Sequence, residues 1–366
     1  MRKTALLWIG IILVIAGRAA GAADHPWQVG STDGNSVLYV GFLAQGQAEG
    51  IWTPNGKANS KDLFLRRFRL MAGGRVNSKL SFFVETDSPN LGKGTSTGSK
   101  GEDRIFIQDA FFTYRFRQEF QVDAGMMLLA LSHNYGQSAA SLLAVDYGPY
   151  TFLASEPTGS RYGRDYGVQA RGYLFRNHLE YRAGVFQGSR APTGSSASGA
   201  SNPFRTTGRV AWYPFEADTG FFYTGTFLGT KKVLSVGASF DHQMEYNSRS
   251  LDFFYDQPLG HGDGITLQAD YTFLDGKTAF PQLPKEHVWF AEAGYYNRFT
   301  RLGPFLQLSN RLYTNPLLAD TRKYLGGIAF WGSGHRLNLK LGVGRSLGSP
   351  SGDSWQVVLQ GQAYIF

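Results

Sequence analysis

Apolar and polar residues alternate one for one along run after run of the chain, each about ten residues long, the period of strands with one apolar face. In 64–76, Phe68, Leu70, Ala72, Gly74 and Val76 share one side, while Arg67, Arg69 and Arg75 share the other. Leu80, Phe82 and Val84 oppose Ser81, Phe83 and Glu85, and Leu179, Tyr181, Ala183 and Val185 oppose Glu180, Arg182 and Gly184. The same holds for Leu234, Val236, Ala238 and Phe240, and again for Leu337, Leu339, Leu341 and Val343. Helical spacing is almost absent, so the chain reads as all-β.

The connections alternate between tight and long. Residues 76–78, 117–119 and 175–177 make short turns, whereas 46–61, 87–103, 131–162 and 187–203 (with GSSASGASN inside) are long and polar. Short turns at one end and long loops at the other mark a bacterial outer-membrane barrel, periplasmic turns below and extracellular loops above. Seventeen segments can be marked as strands. The even count of such barrels turns 214–230 into a periplasmic connection and leaves sixteen, from 36–46 through to 354–366. The expected fold is a transmembrane antiparallel up-and-down β-barrel of about sixteen strands. The chain ends on Phe366, expected at the headgroup level among girdle aromatics; the alternation leaves open whether Gln360, Gln362 and Phe366 or the opposite face meets lipid.

Composition sharpens this picture. The 366 residues include 46 Gly, 28 Phe, 19 Tyr and no Cys, which excludes disulfides, thiolate metal sites and a cysteine nucleophile. Arg2 and Lys3, the apolar run 5–16 and the small residues Ala20-Gly21-Ala22 compose a signal peptide over 1–23, leaving 24–366 as one barrel domain. No later stretch approaches the roughly 18 apolar residues of a membrane helix. Only a closed barrel then satisfies the backbone in hydrocarbon. A midplane Arg on the lipid face costs about 2–4 kcal/mol, so the arginine-bearing faces look inward: Arg67, Arg69, Arg75, Arg115, Arg117, Arg171, Arg182, Arg209 and Arg311, among Glu85, Asp109, Asp123, Asp165, Glu180, Asp241 and Asp270. Sixteen strands enclose an aqueous lumen.

Chemistry beyond permeation finds little support. The seven histidines form no metal-ligand spacing, and no metal or cofactor is expected. Ser132-His133-Asn134 alternate faces on an extended chain and cannot converge as a hydrolytic site. Gly276-Lys277-Thr278 lacks the upstream glycine and the helix of a phosphate loop. Arginines spread at period two argue against a nucleic-acid partner. The chain holds 24 Arg against 12 Lys, and two readings stand: cationic rings that bias the lumen toward anions, or arginines that pair with luminal acids and stiffen the wall. Loop 131–162 carries Leu142, Leu143, Val145, Tyr147 and Tyr150 and is expected to fold into the lumen as a constriction, with Asp146, Tyr147 and Glu156 toward the arginine wall; a surface cap is the alternative.

The segments 64–73 (FLRRFRLMAG), 79–87 (KLSFFVETD), 109–114 (DAFFTY), 121–125 (QVDAG), 163–187 and 257–263 (QPLGHGD) resemble the phosphate-selective porin O and P family of outer-membrane channels. The resemblance implies a sixteen-stranded, typically trimeric porin whose third loop enters the pore. It departs from the family where many members continue with a Lys and a Pro-Phe pair after the match to 121–125. Here the chain reads Met126-Met127-Leu128-Leu129, and no Lys lies between Lys100 and Lys231, so a lysine-built phosphate site has no counterpart. The expectation is a channel for passive diffusion of small hydrophilic solutes with mild anion preference, partnered by outer-membrane lipid and further copies of itself as a homotrimer. The alternative is a structural or adhesin-type barrel with a plugged lumen.

Overall fold

The computed structural model describes residues 27–31, 34–54, 59–95, 98–101, 104–190, 203–349 and 352–366. Residues 1–23, expected to be a signal peptide, and the glycine- and serine-rich stretch within 191–202 lie outside the described residues. The first half of the chain forms β1 (Trp27–Gly30), β2 (Val37–Trp52), β3 (Ser60–Arg75), β4 (Leu80–Asp87), β5 (Phe106–Arg117), β6 (Phe120–Leu128), β7 (Arg164–Leu174), β8 (Leu179–Phe186) and β9 (Arg205–Trp212). The second forms β10 (Val233–Gln243), β11 (Tyr246–Pro258), β12 (Gly264–Asp275), β13 (Glu286–Tyr296), β14 (Leu302–Tyr313), β15 (Thr321–Phe330), β16 (Gly332–His335), β17 (Leu337–Leu347) and β18 (Ser354–Ile365).

Sixteen of these close an antiparallel cylinder in chain order, from β2 round to β18, which pairs back onto β2 from Phe42–Ile365 to Trp52–Trp355. Closure leaves no unpaired edge in hydrocarbon. Strand β1 is an extra: it pairs with Val37–Val40 of β2, where β18 has ended. The short β16 lies in the connection between β15 and β17.

Side chains alternate as the period requires. Leu70, Phe112, Val185, Val210, Leu251, Leu306 and Leu341 are exposed on the outer surface, while Arg67, Arg69, Asp109, Asp123, Glu180, Arg182 and Arg209 are buried within. Exposed Trp52 and Trp355 stand at one end of the cylinder, Phe116, Phe120, Phe175 and Trp212 at the other, as membrane-interface aromatics do.

Two expectations need correction and one open question is decided. The loop expected at 46–61 shrinks to 53–59, because Gln47 and Glu49 are inward wall residues whose outward neighbours, Ala48 and Gly50, are too small to register as an apolar face. The inward face of β18 is Gln356, Val358, Gln360 and Gln362: Gln362 Oε1 accepts from Gln45 at 2.8 Å and Gln360 donates to Gln47 at 2.9 Å, a polar ladder along the closing seam. Phe366 follows that face, and its ring meets Phe83 edge-on at 5.5 Å inside the barrel instead of standing in an outer girdle.

Two irregularities aim charge into the lumen. Opposite Gln45 and Gly46 the partner residues are Arg67 and Leu65, so Arg66 is the extra residue of a bulge. A second bulge between Glu85 and Thr86 skips Gln108. In each case two successive side chains point inward, the re-aiming that bulges allow.

Candidate functional site

Loop 131–162 lies inside the cylinder. Ser132 caps the one-turn helix His133–Gly136 and donates to Asp270 of β12 at 2.5 Å; Gln137 donates to Gln268 at 2.9 Å. Lys340 of β17 donates to the Ala144 carbonyl at 2.8 Å and to that of Leu142 at 2.5 Å, and Gln45 and Gln362 donate to the carbonyls of Ala139 and Ala140. Leu143 sits where Gly294 of β13 leaves room for it. The loop is thereby seated on the β12–β18 side. Its buried carbonyls are met by wall amides and an ammonium, as buried backbone requires.

The other face of the loop reaches the arginines. Asp146 accepts from Arg66 Nε at 2.7 Å and from Arg67 Nη2 at 2.5 Å, and Gln307 donates to its carbonyl at 2.9 Å. Although burial opposes ionisation, the two guanidinium groups hold the Asp146 carboxyl far below the usual carboxylate range. Tyr147 lies under Arg67, 5.5 Å from its guanidinium, and donates to the Gln137 carbonyl at 2.7 Å. Glu156 is exposed and lines the same open space as Arg66, Arg67 and Arg69, with no ion pair among the described residues.

The connection 213–232 also enters the lumen, from the opposite end. Tyr213 and Tyr223 both donate to Glu180, at 2.9 and 3.0 Å, and Arg182 donates to the Phe221 carbonyl at 2.9 Å. The two inserted segments meet: Tyr223 N donates to Gly136 O at 2.8 Å, and Ser138 N to Tyr223 O at 2.9 Å. His133 stacks between Tyr223 and Phe254, with centroids at 5.0 and 3.8 Å, and its Nε2–H donates to Thr224 O at 3.1 Å. Burial lowers the His133 imidazole to about 4. Ser132 is thus an extended cap, while His133 and Asn134 are helical and not extended as expected. They still do not converge, because each side chain serves a different partner: Asp270, Thr224 and the Gly148–Thr151 turn.

Two open spaces lie between the loop and the barrel wall. An outer vestibule of about 1010 Å³ is lined by eight basic side chains (Arg66, Arg67, Arg69, Lys93, Arg161, Arg164, Lys323, Arg345) and four acidic ones (Glu49, Asp87, Asp146, Glu156). Below it is an inner chamber of about 250 Å³. Arg69 and Arg164 line both spaces and stand at the neck between them. Arg69 donates to Glu85 at 2.8 Å and Asp87 at 3.1 Å; Arg164 donates to Asp109 at 3.2 Å and to Tyr162 O at 2.8 Å.

The expected arginines divide into two groups. Arg67, Arg69, Arg171, Arg182 and Arg209 are buried and paired, Arg171 with Asp123 at 2.8 Å, Arg182 with Glu180 at 2.7 Å and Arg209 bidentate with Asp252, and the half-buried Arg311 is paired with Glu286. Arg75, Arg115 and Arg117 are exposed at the turn ends of β3 and β5 and stand apart from this wall, and a register shift between Arg115 and Arg117 interrupts the alternation there. Alternation overlooked Arg66 and Arg164, and it treated 213–232 as a simple connection. The signal was present in Phe221-Phe222-Tyr223, an apolar run that an aqueous connection would leave wet.

Comparison with known proteins bears on this architecture. The family model described as phosphate-selective porin O and P matches residues 44–251. No curated protein matches the chain. Among solved structures, the anion-selective porin from Comamonas acidovorans is 10% identical with a TM-score of 0.59, covering 90% of this chain and 100% of that one. OprB of Pseudomonas putida is 10% identical at 0.60, covering 91% and 95%. The trimer form of OmpT from Vibrio cholerae is 8% identical at 0.54, covering 89% and 99%. At these identities the likeness is one of fold.

Proposed function

This chain belongs to the phosphate-selective porin O and P family of the bacterial outer membrane, and from that premise we infer that it is a passive channel for small hydrophilic solutes that favours anions. Membership supports a channel rather than an enzyme. The single observation that carries the anion preference is the outer vestibule, where basic side chains outnumber acidic ones eight to four. Cationic walls raise the local anion concentration and admit anions preferentially.

Arg67, Arg69 and Arg171 act in this reading as paired wall charges, and loop 131–162 as the constriction that pushes solute toward them. Arg161, stacked on Phe106 at 4.4 Å, and Lys323, over Tyr150 at 5.5 Å, contribute the vestibule's cations that have no carboxylate partner among the described residues. The family's phosphate preference is not carried over, since 101–230 contains no lysine. A homotrimer is the expected assembly, in keeping with the trimeric neighbour.

Planar-bilayer recording in a salt gradient tests this. Open-channel steps are expected with a reversal potential favouring chloride, shifted toward zero selectivity in Arg161→Gln with Lys323→Gln. A second reading, a plugged structural barrel, is favoured by the backbone contact between 131–162 and 213–232 in mid-lumen. Folded protein that never conducts would select it.

A further inference from the structure

The inner chamber below Arg69 and Arg164 has a polar lining from those two side chains, Glu85, Thr113 and Arg171, and beside it a group of phenyl rings. Phe83 and Phe111 come from the wall, Phe221 and Phe222 from the inserted connection, and Phe366 from the chain end. The rings form one continuous surface: Phe221 stacks on Phe111 at 4.2 Å, Phe222 meets Phe83 edge-on at 5.5 Å, and Phe366 meets Phe83 from the other side at 5.5 Å. Phenyl surface kept wet is unfavourable. An inorganic ion gains nothing from it. A solute with a flat apolar body would cover it.

Of the three arginines that line the chamber, Arg171 lies against that surface. The Arg171 guanidinium lies 5.5 Å from the Phe221 centroid, and its Nε donates to Asp123 at 2.8 Å. Asp123 is itself held by Thr113 at 2.6 Å and Gln169 at 3.1 Å, which locks the guanidinium plane. Arg171 Nη1 and Nη2 make no hydrogen bond among the described residues, and the side chain lines the chamber. A guanidinium fixed on one edge and open on the other presents two parallel N–H donors, the fork that fits a carboxylate.

We propose that the inner chamber is a recognition site for small aromatic carboxylates, the ring lying among Phe83, Phe111 and Phe221 and the carboxylate on the open edge of Arg171. Ring-to-ring contact in offset or edge geometry adds to the area covered. The volume of about 250 Å³, just below the roughly 300–1,000 Å³ of drug-sized pockets, suits one ring and not two. This rests on the channel reading, since the solute would be held in transit between the neck and the periplasm.

The test is equilibrium binding to the refolded barrel in detergent, followed by ¹⁹F line broadening of 4-fluorobenzoate, with single-channel recording in parallel. Benzoate is expected to displace the probe, cyclohexanecarboxylate to do so several-fold less well, and acetate and inorganic phosphate not at all at the same concentration. Arg171→Lys, which keeps a cation beside Asp123 but loses the fork, is expected to weaken binding roughly tenfold, the scale of a lost charge-assisted bond. Phe221→Leu is expected to weaken it several-fold, with heat-modifiable migration showing both variants folded. Equal displacement by acetate and benzoate, or binding unchanged in Arg171→Lys, overturns the proposal. Binding without conductance would retain the site and sink the channel; conductance without binding would sink the site alone.

Discussion

Asp146 shows how one residue can set the geometry of a pore. Its carboxylate sits between Arg66 and Arg67, two side chains that share a face only because a bulge interrupts β3. Removing one partner of a partly enclosed ion pair leaves the other uncompensated, so Asp146→Asn is expected to free two guanidinium groups into the vestibule. Anion selectivity should rise and open-channel noise increase as the loop loses its tether; an unchanged reversal potential would show that the pair does not face the solute. The pH sign follows from the depressed Asp146 carboxyl. Its contribution is complete above the unfolded value near ~3.9 and is lost only as pH falls through the much lower folded value, so mild acid should leave this tether intact.

At the scale of elements, two inserted segments are held together partly by His133, fully buried with its imidazole lowered to about 4. Its Nε2–H serves Thr224 O, while Nδ1 is buried without a hydrogen-bond partner. A proton placed there would find no acceptor. Because the folded value lies below the unfolded one near ~6.5, the contribution of His133 is whole above that pH and declines as pH falls toward 4. The contact between 131–162 and 213–232 is therefore expected to loosen between pH 6.5 and 4, before the Asp146 tether does. Conductance or noise that rises over this window in the native chain, and stays flat in His133→Gln, is the outcome expected; His335, which donates to Thr226 O at 2.9 Å, provides a second point of attachment for 213–232.

The whole molecule depends on the seam where β18 returns to β2. At Gly41 a Cβ would lie 2.0 Å from the Ile365 carbonyl oxygen, a backbone atom that cannot yield without moving the seam. Gly41→Val is expected to destabilise closure by an amount at or beyond the roughly 1–3 kcal/mol of overpacking. The measurement is the temperature at which the folded band disappears in heat-modifiable electrophoresis, which should drop relative to the native chain. A control at Gly46, where a Cβ meets nothing within 4 Å, should leave it nearly unchanged.

Strand content, closure and the inward face of the arginine-bearing runs were legible in the residues alone, because period two assigns faces and hydrocarbon rejects misplaced arginine; the inward face of β18 was not. Arg67, Arg69, Arg171, Arg182 and Arg209 were placed on the inner wall by that argument. The bulges that turn Arg66 and Gln108 inward leave no trace in a simple alternation, since an extra residue shifts phase locally and the pattern recovers a few positions later. The pairing of each arginine with an acid, the meeting of 131–162 with 213–232, and the ring cluster that gathers Phe83, Phe221 and Phe366 were decided only by the tertiary structure. Local pattern tells a side chain which way to point; what it finds there depends on curvature and on segments hundreds of residues away, brought opposite one another when the cylinder closes.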